Sequence, residues 1–322
     1  MVKTIFLENF INLRGTLNLE SMISIQTLLN PPQGLTLSEI LIFSYILGLL
    51  HGITPDEHTW PITFSYAVGK YSTKGGMKAG FLFSLGFTIQ RAFLTTLGFL
   101  GLAAIYKEYN LDGPVYFVVG IVMAIAGSYI LKGKYVHLPF DELIHKRREG
   151  ENLRDVPLKM TIVHGLIAGF GFGAYATIIT FFLAPQVPGL VFAPLPGTMF
   201  GLGTMTMQII LGTIFGNIIK FKGLSEEDVR YIGIKTAGRV LYYGGIVFSI
   251  VGLLIIAIPI IDCWAIPTGN PIPNLDAINI GFLLVVGTVG TIGIASIIQA
   301  YREVKKKVEK NKADKLRKFN MQ

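Results

Sequence analysis

Residues 37 to 68 form an apolar run that is interrupted once, by His51-Gly-Ile-Thr-Pro-Asp-Glu-His58. The run is longer than one straight helical crossing of a bilayer core about 30 Å thick requires. It must therefore bend, tilt or break. Four ionisable side chains and a proline lie in its middle, and hydrocarbon penalises each of them, so the cluster is a functional-site hypothesis. Thr54-Pro55-Asp56-Glu57 reads as a helix N-terminus, with a threonine cap, proline at the first helical position and glutamate three residues after the cap. The spacing predicts one helix stopping near His51 or Gly52 and another starting at Pro55. Such a break at membrane depth is tolerated only where it is buried in protein or lines a watery cavity.

The rest of the chain fits that environment. Hydrophobic residues make up 51% of its 322 residues and charged residues 15%, with a mean hydropathy of +0.56. A soluble domain carries about a quarter charged residues, so this composition reads as an all-α integral membrane protein. The net charge of +8 resides mostly in Lys and Arg beside apolar runs, which points to lipid headgroups rather than nucleic acid. A single cysteine, Cys263, excludes an intrachain disulfide. The first 30 residues lack a secretory signal pattern, and residues 1–35 read as a partly amphipathic arm on the membrane surface or over the bundle.

Seven apolar segments are expected to span: 37–68, 76–105, 114–132, 158–184, 196–220, 237–261 and 278–300. Lys and Arg concentrate in alternate connections, at Lys70, Lys74 and Lys78, through 132–159, through 220–239 and in the tail beyond Tyr301. The connections between them are almost free of Lys and Arg. By the positive-inside rule the N-terminus lies outside and the C-terminus in the cytoplasm of a multi-pass plasma-membrane protein. The chain also repeats itself. Gly120 to Gly127 matches Gly245 to Gly252, Thr88-Ile89-Gln90 matches Thr206-Met207-Gln208, and His51-Gly52 matches His164-Gly165, with offsets of 125, 118 and 113. Three crossings per repeat turn the second repeat upside down relative to the first. The expected layout is a first repeat at 36–135, a cytoplasmic loop at 136–157, a second repeat at 158–262, an extra packing or dimer helix at 276–300 and a basic tail at 301–322.

Imidazole nitrogen beside carboxylate oxygen suits borderline divalent ions such as Ni, Co and Zn better than Mg or Ca. His51, Asp56 and His58 are the first candidates. A plainer reading gives Glu57 to the helix cap, Asp56 to the helix dipole and the histidines to inter-helix hydrogen bonds. His164 is a third ligand or a packing histidine. Gln90 and Gln208 are matched intramembrane amides, either pore-lining or bonding between helices. Arg91 needs a carboxylate or carbonyl partner, with Asp56 or Glu57 as candidates. His137, Asp141 and His145 lie four apart in a basic loop and read as a solvated face. No phosphate-binding lysine loop, dinucleotide fingerprint or nucleophile elbow occurs, so an ATPase or soluble enzyme is not expected.

The stretch from His51 through Thr54, Pro55, Asp56 and Glu57 to His58 resembles the helix motif of the NiCoT and NicO nickel/cobalt transporters. Six residues separate its two histidines, one more than the usual pattern of those families. The resemblance implies a permease for Ni²⁺ or Co²⁺ with His51, Asp56 and His58 as selectivity ligands, and no tightly bound cofactor. Two other functions fit the residues. One is an anion or small-solute carrier using Arg91 and the half-helix N-terminus. The other is an intramembrane metalloenzyme with zinc on His51, His58 and His164 and Glu57 as base. Lipid, the transported solute and a second copy of the chain are the expected partners.

Overall fold

The computed structural model describes residues 24–102, 111–132, 156–171, 173–221 and 223–320, the last ten as helical backbone only. The loop bearing His137, Asp141 and His145 and most of the N-terminal arm lie outside these residues. After a five-residue helix, α1 (Ile25–Leu29), the chain enters α2 (Leu37–Ile53). A reciprocal cap starts α2: Thr36 Oγ1 accepts from the Glu39 backbone N–H, and the Glu39 carboxylate accepts from the Thr36 N–H at 2.7 Å.

The break does not fall where the cap pattern places it. Helix α2 runs through His51 and Gly52 to Ile53, and Thr54 closes it by donating its hydroxyl to the Leu50 carbonyl at 2.9 Å. Pro55 holds Thr54 in extended backbone (φ −74°, ψ 147°), as the residue before a proline prefers. The next helix, α3 (Trp60–Gly69), begins five residues after Pro55, with Pro61 in its first turn. The Asp56 carbonyl accepts from the backbone N–H of Thr59 and Trp60. Residues 54–59 are therefore a non-helical bridge.

Helices α4 (Thr73–Phe99), α5 (Asp112–Lys132), α6 (Lys159–Ala168), α7 (Ala174–Thr177), α8 (Leu195–Asn217) and α9 (Glu226–Ala257) follow. Helix α7 continues as a π-helical segment, Ile178–Leu183, and a 3₁₀ turn, Ala184–Gln186. A second interruption, from Gly169 to Gly173, separates α6 from α7. Helix α9 starts well before its apolar run, because Ser225 and Asp228 form a second reciprocal cap that extends the helix through polar turns. Next comes an unanticipated antiparallel hairpin, β1 (Ala265–Pro267) paired with β2 (Ala277–Asn279). It leads through α10 (Ile280–Val285) and a π-helical segment, Val286–Gly293, into α11 (Ile294–Asn320). Helix α11 runs without a break from the expected extra helix into the expected tail.

Among the described residues, four helical stretches are long and apolar enough to cross a membrane: Asp112–Leu131, Leu190–Asn217, Glu226–Ala257 and Ile280–Lys310. Helix α4 has the length but carries Lys74, Lys78 and Arg91, and Leu37–Ile53, Lys159–Ala168 and Ala174–Gln186 are shorter apolar pieces. Large apolar side chains such as Ile89, Phe93, Ile214 and Ile250 stand exposed around the outside, as a lipid-facing surface requires.

Helix pairs pack closely enough to fix a regular correspondence. A Cβ placed on Gly48 would strike the Phe200 carbonyl, and one on Gly165 would strike the Phe83 carbonyl. Gly80 lies in the same way against the Gln208 carbonyl and Gly197 against the Arg91 carbonyl. In every case the exchanged partners differ by 117 residues. Between α5 and α9, Gly127 faces Gly238 and Tyr242 while Gly252 faces Gly113 and Phe117, all related by 125. Only glycine permits such approach of two backbones. The offset of 125 agrees with the sequence reading. The offset of 117 makes Leu47, not His51, the counterpart of His164, and makes Arg91, not Gln90, the counterpart of Gln208.

Candidate metal centre

The bridge after α2 brings three expected residues together. Asp56 is buried, with Oδ2 3.6 Å from His51 Nδ1 and Oδ1 3.9 Å from His58 Nδ1. Asp56 Oδ1 also accepts the His58 backbone N–H at 2.9 Å, which ties the carboxylate to its own turn. The His51 ring packs against Phe87 and Phe200, at centroid distances of 5.4 and 5.2 Å, and those two rings lie 6.1 Å from each other. The His58 ring rests on Tyr116 at 5.3 Å, and its Nε2 points at Gly171, where a Cβ would collide with it. Nε2 of each histidine is buried without a hydrogen-bond partner.

Glu57 does not complete a helix cap. Its Oε1 lies 3.2 Å from His58 Nδ1 and accepts the Tyr116 hydroxyl at 2.9 Å. The carboxylate leans on Gly281 at the start of α10. Ligand atoms of Asp56, Glu57 and His58 all lie within 4.8 Å of one another, and His51 approaches Asp56 from the other side. Two carboxylates and two imidazoles offer the mixed oxygen and nitrogen donors that borderline divalent ions prefer.

The remaining expected residues serve the interruptions rather than the cluster. Arg91 donates from Nη2 to the Gly171 carbonyl at 2.9 Å, and its guanidinium lies 4.8 Å from the Phe87 ring centre. A backbone carbonyl of the second interruption therefore takes the hydrogen bond for which Asp56 or Glu57 was the candidate. Gln208 donates to the Gly52 carbonyl at 2.9 Å. Arg91 and Gln208 thus bind the two interruptions crosswise. Gln90 packs its amide on Gly169. His164 sits elsewhere: its Nδ1 faces the Tyr66 hydroxyl at 3.2 Å and the Met160 carbonyl at 2.9 Å.

Two cavities share His58, Gly173 and Asn274 in their walls. The smaller, about 10 Å³, is bounded by His51, Asp56, His58, Arg91 and Gly171, and holds a single water-sized sphere. The larger, about 170 Å³, is lined by Glu57, Asp112, Asp262 and Asp276 together with His58, Tyr116 and Asn274. Sequence reasoning missed Asp112, Asp262, Asp276, Tyr116 and Asn274. A signal was present, since the connections almost free of Lys and Arg hold these aspartates.

The chain is thus a predominantly helical protein with membrane-compatible helices and a buried acid–imidazole cluster at a helix break. Comparison with known proteins finds no family profile that matches it, no similar curated protein and no similar solved structure.

Proposed function

We propose that this chain is a secondary transporter for a divalent transition-metal cation of the nickel or cobalt kind, bound at the bridge between α2 and α3. The observation that carries the reading is the buried Asp56 carboxylate between two imidazoles whose Nε2 atoms are both unpartnered. A buried donor set left open in this way has the chemistry of a site for a desolvated cation. The acid-lined larger cavity supports it, because carboxylates gather cations at an entrance and repel anions.

In this reading the correspondence by 117 and 125 residues reflects two inverted three-helix repeats, each opened by an interrupted helix, with one further helix after them. Seven crossings then place the N-terminus outside and the C-terminus in the cytoplasm, and the larger cavity opens on the outer side. Substrate binds where the interrupted helices meet, and rocking of one repeat against the other exposes it alternately. No catalytic step is assigned. The NiCoT and NicO resemblance supports the same ion class.

The anion reading is weaker, since Arg91 is hydrogen-bonded to Gly171 and lies against Phe87, and four carboxylates line the approach. A three-histidine zinc enzyme is weaker too, because the ring contacts of His164 are with Tyr66 and Met160. Equilibrium binding of Ni²⁺, Co²⁺ and Zn²⁺ to the purified chain, followed by uptake into proteoliposomes, tests the proposal. Binding is expected to be lost in His51→Ala and His58→Ala. A folded wild-type chain that binds none of the three ions would overturn it.

A further inference from the structure

The hairpin β1–β2 places the turn between its strands over the bridge. Asn274 lies in that turn with φ +68°, the left-handed region that asparagine tolerates better than most residues. Its Nδ2 donates to Thr54 Oγ1 at 3.2 Å and to Asp56 Oδ2 at 3.4 Å. The Thr54 hydroxyl proton is already given to the Leu50 carbonyl, so that oxygen can only accept, as can an ionised carboxylate. The nitrogen end of the amide therefore faces the bridge, with both its protons engaged. The adjacent Pro273 carbonyl accepts the Tyr175 hydroxyl at 3.4 Å, which holds the turn down.

Two facts give this contact its meaning. Asp56 Oδ2 is the oxygen that faces His51, so Asn274 occupies the carboxylate edge where an ion bridging Asp56 and His51 must sit. Asn274 also lines both cavities, with His58 and Gly173, so its amide stands in the wall common to the two. We infer that Asn274 is the gate and a positioning residue of this site, holding Asp56 Oδ2 until a divalent cation displaces its amide protons. This rests on the reading of His51, Asp56 and His58 as a cation site.

The test uses the full chain in detergent with its cysteine removed (Cys263→Ser) and a reporter thiol in the smaller cavity (Ala176→Cys). Asn274→Gly keeps the left-handed backbone and deletes the amide. Asn274→Asp keeps the shape and sets a second negative charge against Asp56. Hydrogen peroxide, close to water in size, is expected to label the reporter as its sulfenic acid about tenfold faster in either variant, the equivalent of one lost hydrogen bond to a charged group. Saturating Ni²⁺ is expected to slow labelling in every chain. Unchanged labelling in both variants, with wild-type unfolding temperatures, would overturn the gate whatever the metal does. Faster labelling supports the gate, and if Ni²⁺ neither binds nor protects in any chain, only the cation reading fails.

Discussion

Replacing Asp56 by asparagine removes one negative charge and almost no volume. Asp56 is only 6% exposed and sits between His51 and His58 at 3.6 and 3.9 Å. With a cation bound, removing its charged partner in a buried site costs about 3 to 5 kcal/mol of binding. The asparagine carbonyl can still accept the His58 N–H and still offer one neutral oxygen to an ion, so the lower end applies. About 3 kcal/mol corresponds to a little over a hundredfold in affinity. Calorimetric titration of the purified chain with Ni²⁺ is therefore expected to show that loss for Asp56→Asn, with an unfolding temperature near that of the wild type. An affinity within about threefold of wild type in the folded variant would show that the carboxylate does not ligate, and the argument from its central position would fail.

Gly48→Ala and Gly165→Ala should each lower detergent unfolding stability by about 1 to 3 kcal/mol, since both new methyl groups strike a facing carbonyl. Their similar size would reflect the exchanged packing, whereas Gly287→Ala, with open space around it, should be near neutral. His164→Ala leaves the buried Tyr66 hydroxyl without its imidazole partner and should cost about 1 to 3 kcal/mol of stability. Its Ni²⁺ affinity should stay within about threefold of wild type, and a loss of binding would return His164 to the site. Protons compete with metal for the imidazoles, so apparent Ni²⁺ affinity should fall as the medium is acidified, with the same slope in His164→Ala, whose imidazole lies away from the site.

Much of the site was legible because burying His51, Asp56 and His58 in an apolar run is costly enough to stand out in composition alone. The position of the break was less legible. A threonine and a glutamate three residues apart satisfy the cap pattern, but Pro55 forces Thr54 extended and the Leu50 carbonyl takes its hydroxyl first. Glu57 was then free to pair with His58 and Tyr116, contacts made across helices that local spacing cannot encode. The correspondence by 125 residues was visible because glycines recur regularly there, as in Gly120 and Gly245. The correspondence by 117 residues was hidden, because a shared His-Gly dipeptide drew the alignment away from the close approach of Gly48 to Phe200. Asn274 was invisible, because a polar residue in a connection looks like any solvated turn until the fold lays it on Asp56.

The last helix has a mechanical consequence. Strand β2 ends at Asn279, which caps α10 by accepting the Phe282 N–H at 2.9 Å, so the hairpin bearing Asn274 and the stretch ending at Asn320 are one unbroken piece of chain. At about 1.5 Å per residue this piece is a strut longer than a bilayer is thick. Glu303 braces it partway, accepting from Tyr231 and Arg239 of α9 at 2.8 and 2.9 Å. The π-helical segment Val286–Gly293 lies between brace and hairpin and is the compliant section of the strut. A pull on the basic segment therefore reaches the turn over Asp56 along continuous backbone, limited by the brace and softened at the π-helical section.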